Sequence, residues 1–112
     1  MVQYSSELDR AFAAVADPTR RGILSRLSQQ EASISDLAER FAMTLTGMKK
    51  HVRVLEAAEL VSSVKVGRVR TCRVGPRRLE DASAWITSYQ TQLEERFDHL
   101  DAFLERTKEN GT

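Results

Sequence analysis

The chain is short of several things, and each shortage removes a class of protein. It has one cysteine, Cys72, so no intrachain disulfide can form and a reducing cytoplasm is the expected compartment. No run of about 18 apolar residues occurs, so no membrane-spanning helix and no membrane partner are expected. The first residues, MVQYSSELDR, have neither the basic start nor the apolar run of a signal peptide. No nucleophile–base arrangement, glycine-rich phosphate loop or paired-carboxylate site stands out, so neither catalysis nor a cofactor is expected. What is left is an ordinary globular composition. Its 112 residues are 41% apolar and 29% charged, enough for one domain over 1–112 with a single modest core.

Net charge is also nearly missing, at +1, but the charges are not evenly spread. Residues 45–78 hold nine lysines and arginines (Lys49, Lys50, Arg53, Lys65, Arg68, Arg70, Arg73, Arg77 and Arg78) against only Glu56 and Glu59. Residues 1–44 carry a net −1 and residues 79–112 a net −5. Such a separation suits a middle that faces a polyanion and a tail that avoids it.

The middle opens on SDLAERFAMTLTGMKKHVRVLEAAEL, residues 35–60, which reads as two helices joined by a tight turn. Ser35 is the expected N-cap of the first, and Leu37, Ala38 and Phe41 fall on one helical face. Ala42 and Met43 make the turn, and Thr44 caps the second helix, 44–58. Met48, Val52 and Leu55 recur as one buried stripe. The opposite arc carries Thr46, Lys50, Arg53 and Ala57, with Lys49 and His51 on its flanks and no acid before Glu56. A helix docked in a DNA major groove needs cations for phosphates and short polar tips for base edges. On this helix alone, a merely solvated charged face explains the pattern equally well.

The flanking segments tilt that balance. An opening helix from about Ser6 to Ala16 presents Leu8, Phe12 and Val15. Asp17-Pro18 starts a second, to about Leu27, because the carboxylate caps and proline suits the first helical position. That helix buries Ile23, Leu24 and Leu27 and leaves Arg20 and Arg21 on its exposed side. Ser33-Ile34 is a candidate short strand. After Leu60, VSSVKV and VRTCRV flank Gly67-Arg68 and read as a β-hairpin over 61–74 with Lys65, Arg68 and Arg70 at its tip. The fold class is therefore mainly α with a small β-hairpin: a winged helix-turn-helix. After Gly75-Pro76, a long C-terminal helix spans about 79–107. Leu79, Ala82, Ile86, Tyr89, Leu93, Phe97, Leu100 and Leu104 step along it as a near-heptad seam. With Trp85 and Phe103 nearby, this is more apolar surface than so small a core can cover. A homodimer, with Leu8 and Phe12 as second contributors, is the simplest way to cover it.

Together, ADPTRRGIL (16–24), ISDLAERFAM (34–43), KKHVRVLEAAELV (49–61), GRVRTCRVGP (67–76) and Ala84-Trp85-Ile86 resemble the ArsR/SmtB family of small winged-helix repressors, in a branch lacking metal ligands. The similarity covers about residues 8–105. It implies a homodimeric transcriptional regulator that binds an inverted-repeat, double-stranded operator through the 44–58 helix and the wing. By the resemblance, Thr46, Lys49 and Lys50 match positions that approach bases, while Thr44, Arg53, Arg68 and Arg70 would hold phosphates. His51 is read as a backbone or phosphate contact.

This chain also departs from the family's pattern. Glu59 stands where the family usually has glycine, and a left-handed non-glycine residue costs roughly 1–2 kcal/mol, which leaves a different helix exit open. Gly47 stands for the more usual alanine, either to let the backbone approach DNA or simply tolerated near the helix start, the latter being preferred. The family's Cys-x-Cys metal site corresponds here to Ser33-Ile34-Ser35, and its zinc-type site has only His99 with Asp98 and Asp101. No metal site is expected. Cys72 reads as apolar filler. The alternative function is a winged-helix protein-interaction module that acts through the long helix without binding DNA.

Overall fold

A computed structural model describes residues 6–110, with side chains to Thr107. The element order is α1 (Ser6–Val15), α2 (Pro18–Gln29), β1 (Ala32–Ser33), α3 (Ile34–Arg40), α4 (Leu45–Ala57), β2 (Val61–Val66), β3 (Val69–Val74) and α5 (Glu80–Asn110). The chain falls into two compact units, Met1–Glu80 and Asp81–Thr112.

In the first unit, Ile23, Leu27, Leu37, Met48, Val52, Leu55, Leu60, Val61 and Cys72 make one core, which α2, α3, α4 and the sheet close. The start of α2 is as expected: the Asp17 carboxylate accepts the Arg20 backbone N–H at 3.0 Å, with Pro18 first in the helix. That bond, above all, lowers the Asp17 carboxyl below its ordinary range. Arg20 corrects the expectation of an exposed side chain. It is half-buried, and its guanidinium donates to the carbonyls of Ala14 at 2.8 Å and Ala13 at 3.0 Å. A helix C-terminus leaves carbonyls without partners, and α2 supplies the donors for those of α1. On α1 itself the buried residues are Ala11 and Ala14, with Leu8, Phe12 and Val15 only half-buried.

The cap of α3 also shifts. Ser33, not Ser35, accepts the Asp36 N–H at 3.0 Å, because the chain leaves β1 extended at Ser33 and is already helical one residue later. The turn to α4 is a Schellman motif. Met43 N–H reaches the Ala38 carbonyl at 2.8 Å and Ala42 N–H that of Glu39 at 3.1 Å, with Ala42 left-handed at φ 53°. Thr44 then caps α4 by accepting the Gly47 N–H at 3.1 Å. A Cβ at position 47 would lie 3.2 Å from Thr44 Oγ1 and 3.3 Å from Met43 Cε, so the missing methyl leaves room for the cap.

The exit of α4 keeps the left-handed form despite lacking glycine. Glu59 has φ 61°, with Leu60 N–H on the Leu55 carbonyl at 3.0 Å and Glu59 N–H on that of Glu56 at 2.9 Å, a second Schellman motif. Arg77 holds this residue in place: its backbone N–H donates to the Glu59 carbonyl at 3.0 Å and its Nε pairs with Glu59 Oε2 at 2.6 Å. The strands form an antiparallel sheet in the order β1-β3-β2, with Ala32 opposite Cys72, Ser63 opposite Cys72 and Lys65 opposite Arg70. Gly67 sits at φ 63° in the two-residue hairpin loop.

Leu79, expected as the first residue of the long seam, lies before the helix. It is left-handed at φ 67° and packs on the core of the first unit. The 31 residues of α5 span about 46 Å at 1.5 Å per residue. Along α5, Ala82 is buried and Leu93 half-buried, whereas Ile86, Tyr89, Phe97, Leu100 and Leu104 are exposed, as are the flanking Trp85 and Phe103. Trp85 and Tyr89, four residues apart, stack with ring centroids 5.5 Å apart. No described helix is long and apolar enough to cross a membrane.

Candidate nucleic-acid interface

The sheet turns from core to surface along one face. Alternation puts Val61, Ser63 and Lys65 on the same side of β2, and Cys72 and Arg70 on the matching side of β3. On that side Val61 and Cys72 are buried, whereas Lys65 and Arg70, toward the hairpin tip, are exposed, as is Val74 at the strand end. Beside it, α4 turns Met48, Val52 and Leu55 inward and leaves Lys49 and Arg53 outside. Between them lies an open cleft of about 470 Å³, lined by Ser33, Ile34, Ser35, Leu45, Lys49, Val52, Arg53, Glu56, Lys65, Arg68, Val69 and Arg70.

Five cations line this cleft against one acid, Glu56. Lys65 and Arg70 are direct cross-strand partners, and like charges placed so are unfavourable unless an anion comes between them. Arg70 is oriented: its Nη1 donates to Ser63 Oγ at 3.0 Å, and Ser63 Oγ donates to Glu56 Oε1 at 3.1 Å. The wing is thereby tied to α4.

Of the residues expected to touch DNA, the fold brings Lys49, Arg53, Arg68 and Arg70 together in the cleft. Thr46 and Lys50 are exposed on α4 but do not line it. Thr44 is exposed; its hydroxyl oxygen accepts from Gly47, which leaves the hydroxyl proton available to donate. His51 faces its own protein: it is half-buried, with Nδ1 3.1 Å from Arg20 Nη1. Guanidinium only donates, so Nδ1 accepts and the ring proton is on Nε2. The sequence puts Lys65 at the hairpin tip but gives no sign that it joins the site, nor that Ser33, Ser35, Leu45, Ser63 and Glu56 do. Only the alternation of β2 could have pointed to Ser63. Arg77, one of the nine mid-chain cations, is structural: it bridges Glu7 at 2.9 Å and Glu59 at 2.6 Å.

Ser33 and Ser35 offer hydroxyls where soft metals need thiolates, and the Ser33 hydroxyl already caps α3. Among the described residues, no three His, Cys, Asp or Glu side chains are grouped to hold an ion. Cys72 is fully buried, and its thiol is pushed up to about 11, first by burial and then by the nearby Glu56 carboxylate.

Comparison with known proteins places this geometry. A helix-turn-helix domain family matches residues 15–64. The transcriptional repressor SdpR of Bacillus subtilis (strain 168) is 28% identical over 82 residues, which cover 73% of this chain and 91% of that protein. The crystal structure of an ArsR family transcriptional regulator is 40% identical with a TM-score of 0.75, covering 84% of this chain and 97% of its own. An ArsR-like transcriptional regulator from Rhodococcus sp. RHA1 is 32% identical with a TM-score of 0.78, covering 89% and 92%.

Proposed function

The chain belongs to the ArsR family of winged-helix transcriptional regulators, and on that premise we propose that it is a sequence-specific, DNA-binding repressor acting as a homodimer on an inverted-repeat operator. The observation that carries this reading is the cleft between α4 and the wing, with its five cations and single acid. A phosphate backbone running through that cleft satisfies Lys49, Arg53, Lys65, Arg68 and Arg70 together. It leaves Thr46 and Lys50, on α4 outside the cleft, for base edges in the major groove. Thr44 and His51 Nε2 are secondary donors to the same backbone. Leu45, exposed at the start of α4, suits contact with a thymine methyl.

The dimer is proposed from α5. Its exposed stripe of Ile86, Tyr89, Phe97, Leu100 and Leu104 repeats at heptad-like spacing, and a second copy of the same stripe covers it symmetrically. Leu93 and the half-buried Leu8 and Phe12 of α1 are assigned to the same interface. Two recognition helices then address half-sites about 34–36 Å apart. A protein-interaction module without DNA binding gives the five cleft cations no role.

Fluorescence anisotropy tests this with a duplex selected from a random library and a scrambled duplex of equal composition, across a salt series. Two copies neutralising about eight to ten phosphates should give a slope of log affinity against log salt near −7 to −9. Lys50→Ala should narrow the gap between the duplexes, whereas Arg68→Ala, which removes one phosphate contact from each copy, should weaken both alike and flatten the slope by about 2. Salt-indifferent, equal binding of both duplexes refutes the reading.

A further inference from the structure

We propose that Ser63 and Glu56 are positioning residues for the wing, holding Arg70 in the one orientation that grips an operator phosphate in register with α4. This rests on the DNA-binding reading above and concerns how the same site discriminates its own sequence from bulk duplex.

Glu56 is the observation that needs a reason. A carboxylate in a cleft that otherwise collects cations repels a phosphate, yet it lines that cleft, half-buried. Its partner explains it. The Ser63 hydroxyl has one proton, and its contact with Glu56 Oε1 at 3.1 Å takes that proton. The hydroxyl oxygen is then left only to accept, which it does from Arg70 Nη1 at 3.0 Å. The three groups form a chain with a single direction, arginine to serine to carboxylate, and each hydrogen bond polarises the next. Glu56 stands on α4 and the other two on the wing, so the chain fixes the wing arginine relative to the helix that carries Lys50 and Thr46. Only one of the five guanidinium N–H groups is engaged by Ser63, so a fork remains for a phosphate.

A fixed cation and a loose one attract a polyanion alike at long range; they differ in what they select. A loose arginine follows any backbone. A fixed one holds phosphate only where the base contacts of α4 are also satisfied. The carboxylate's own repulsion of phosphate weakens both kinds of complex and so lowers background binding; the discrimination comes from the orientation it gives Arg70 through Ser63.

The test uses the full-length protein, the selected duplex and its scrambled counterpart. Ser63→Ala should lower affinity for the selected duplex roughly three- to tenfold while leaving the scrambled duplex and the salt slope unchanged, since no charge is altered. Ser63→Thr, which keeps the hydroxyl, should restore the parent ratio. Glu56→Gln, which keeps an acceptor for Ser63 but removes the charge, should raise scrambled-duplex affinity roughly threefold. The proposal is overturned if Ser63→Ala weakens both duplexes equally or neither, if threonine does not rescue, or if Glu56→Gln leaves the scrambled duplex unaffected. A parent protein that binds neither duplex refutes the DNA reading itself, a result separate from any of these.

Discussion

Among the described residues, Ala42, Glu59 and Leu79 adopt a left-handed backbone that glycine would adopt more easily. Each stands where the chain must change direction: between the helices of the turn, between α4 and the wing, and before α5. For Glu59, the strain of roughly 1–2 kcal/mol is opposed by the Schellman bonds and by Arg77 on both its carbonyl and its carboxylate. The end of the wing depends on the same spot. Gly75 N–H donates to the Leu60 carbonyl at 2.9 Å, and a Cβ on Gly75 would lie 2.5 Å from the Glu59 carbonyl oxygen and 2.8 Å from Val61 N. All of these near atoms are backbone of residues 59–61, so no flexible side chain is there to yield. Gly75→Ala should therefore destabilise the protein by about 3 kcal/mol, read as a lower urea midpoint with an unchanged slope. A change below about 0.5 kcal/mol in unfolding free energy would show that the crossing relaxes without cost.

The sheet is a small element with two tasks, and Cys72 marks the boundary between them. It lies opposite Ala32 on one side and Ser63 on the other, where the core ends and the cleft begins. Its thiol ionises at about 11 against an ordinary 9.0, so the folded state favours the neutral form. The resulting stabilisation is complete below pH 9.0 and is lost as pH rises through about 11. The parent's urea midpoint should accordingly fall more steeply between those pH values than that of Cys72→Ala. A thiol reagent at neutral pH should consume Cys72 only as fast as the protein unfolds. Rapid labelling of the folded protein would mean that the base of the wing opens.

At the scale of the whole molecule, the proposed homodimer rests on α5. Its exposed apolar stripe is far more than scattered surface leucines, and an uncovered patch of that kind marks an interaction surface. Leu100→Glu, placed within the stripe, should yield a monomer by sedimentation while the far-ultraviolet dichroism stays helical. Operator affinity should fall by at least about 100-fold, because two linked half-sites become one. A dimer that survives this substitution would move the interface elsewhere.

Most of this fold is written in local pattern. Met48, Val52 and Leu55 at helical spacing, Asp17-Pro18 and Thr44 at helix starts, and two β-branched runs around Gly67-Arg68 each depend on neighbours a few residues away, so they can be read in order. Local pattern misleads where a residue answers to something distant. Helical spacing puts Arg20 in solvent, yet it caps α1 and meets His51, thirty-one residues on. The α3 cap moved from Ser35 to Ser33 because β1 pairs with β3, which lies nearly forty residues further along. Leu79 left the seam because the core claimed it. The site divides likewise. Composition and order along the chain located a basic middle, but not which cations act together. That required α4 and the wing to be packed side by side, which gathers Lys49, Arg53, Lys65, Arg68 and Arg70 and diverts Arg77 to structural work. Short-range spacing dictates helices and strands because their hydrogen bonds are local. Convergence of charges is decided by tertiary packing, because it is a property of distances that the order of residues does not contain.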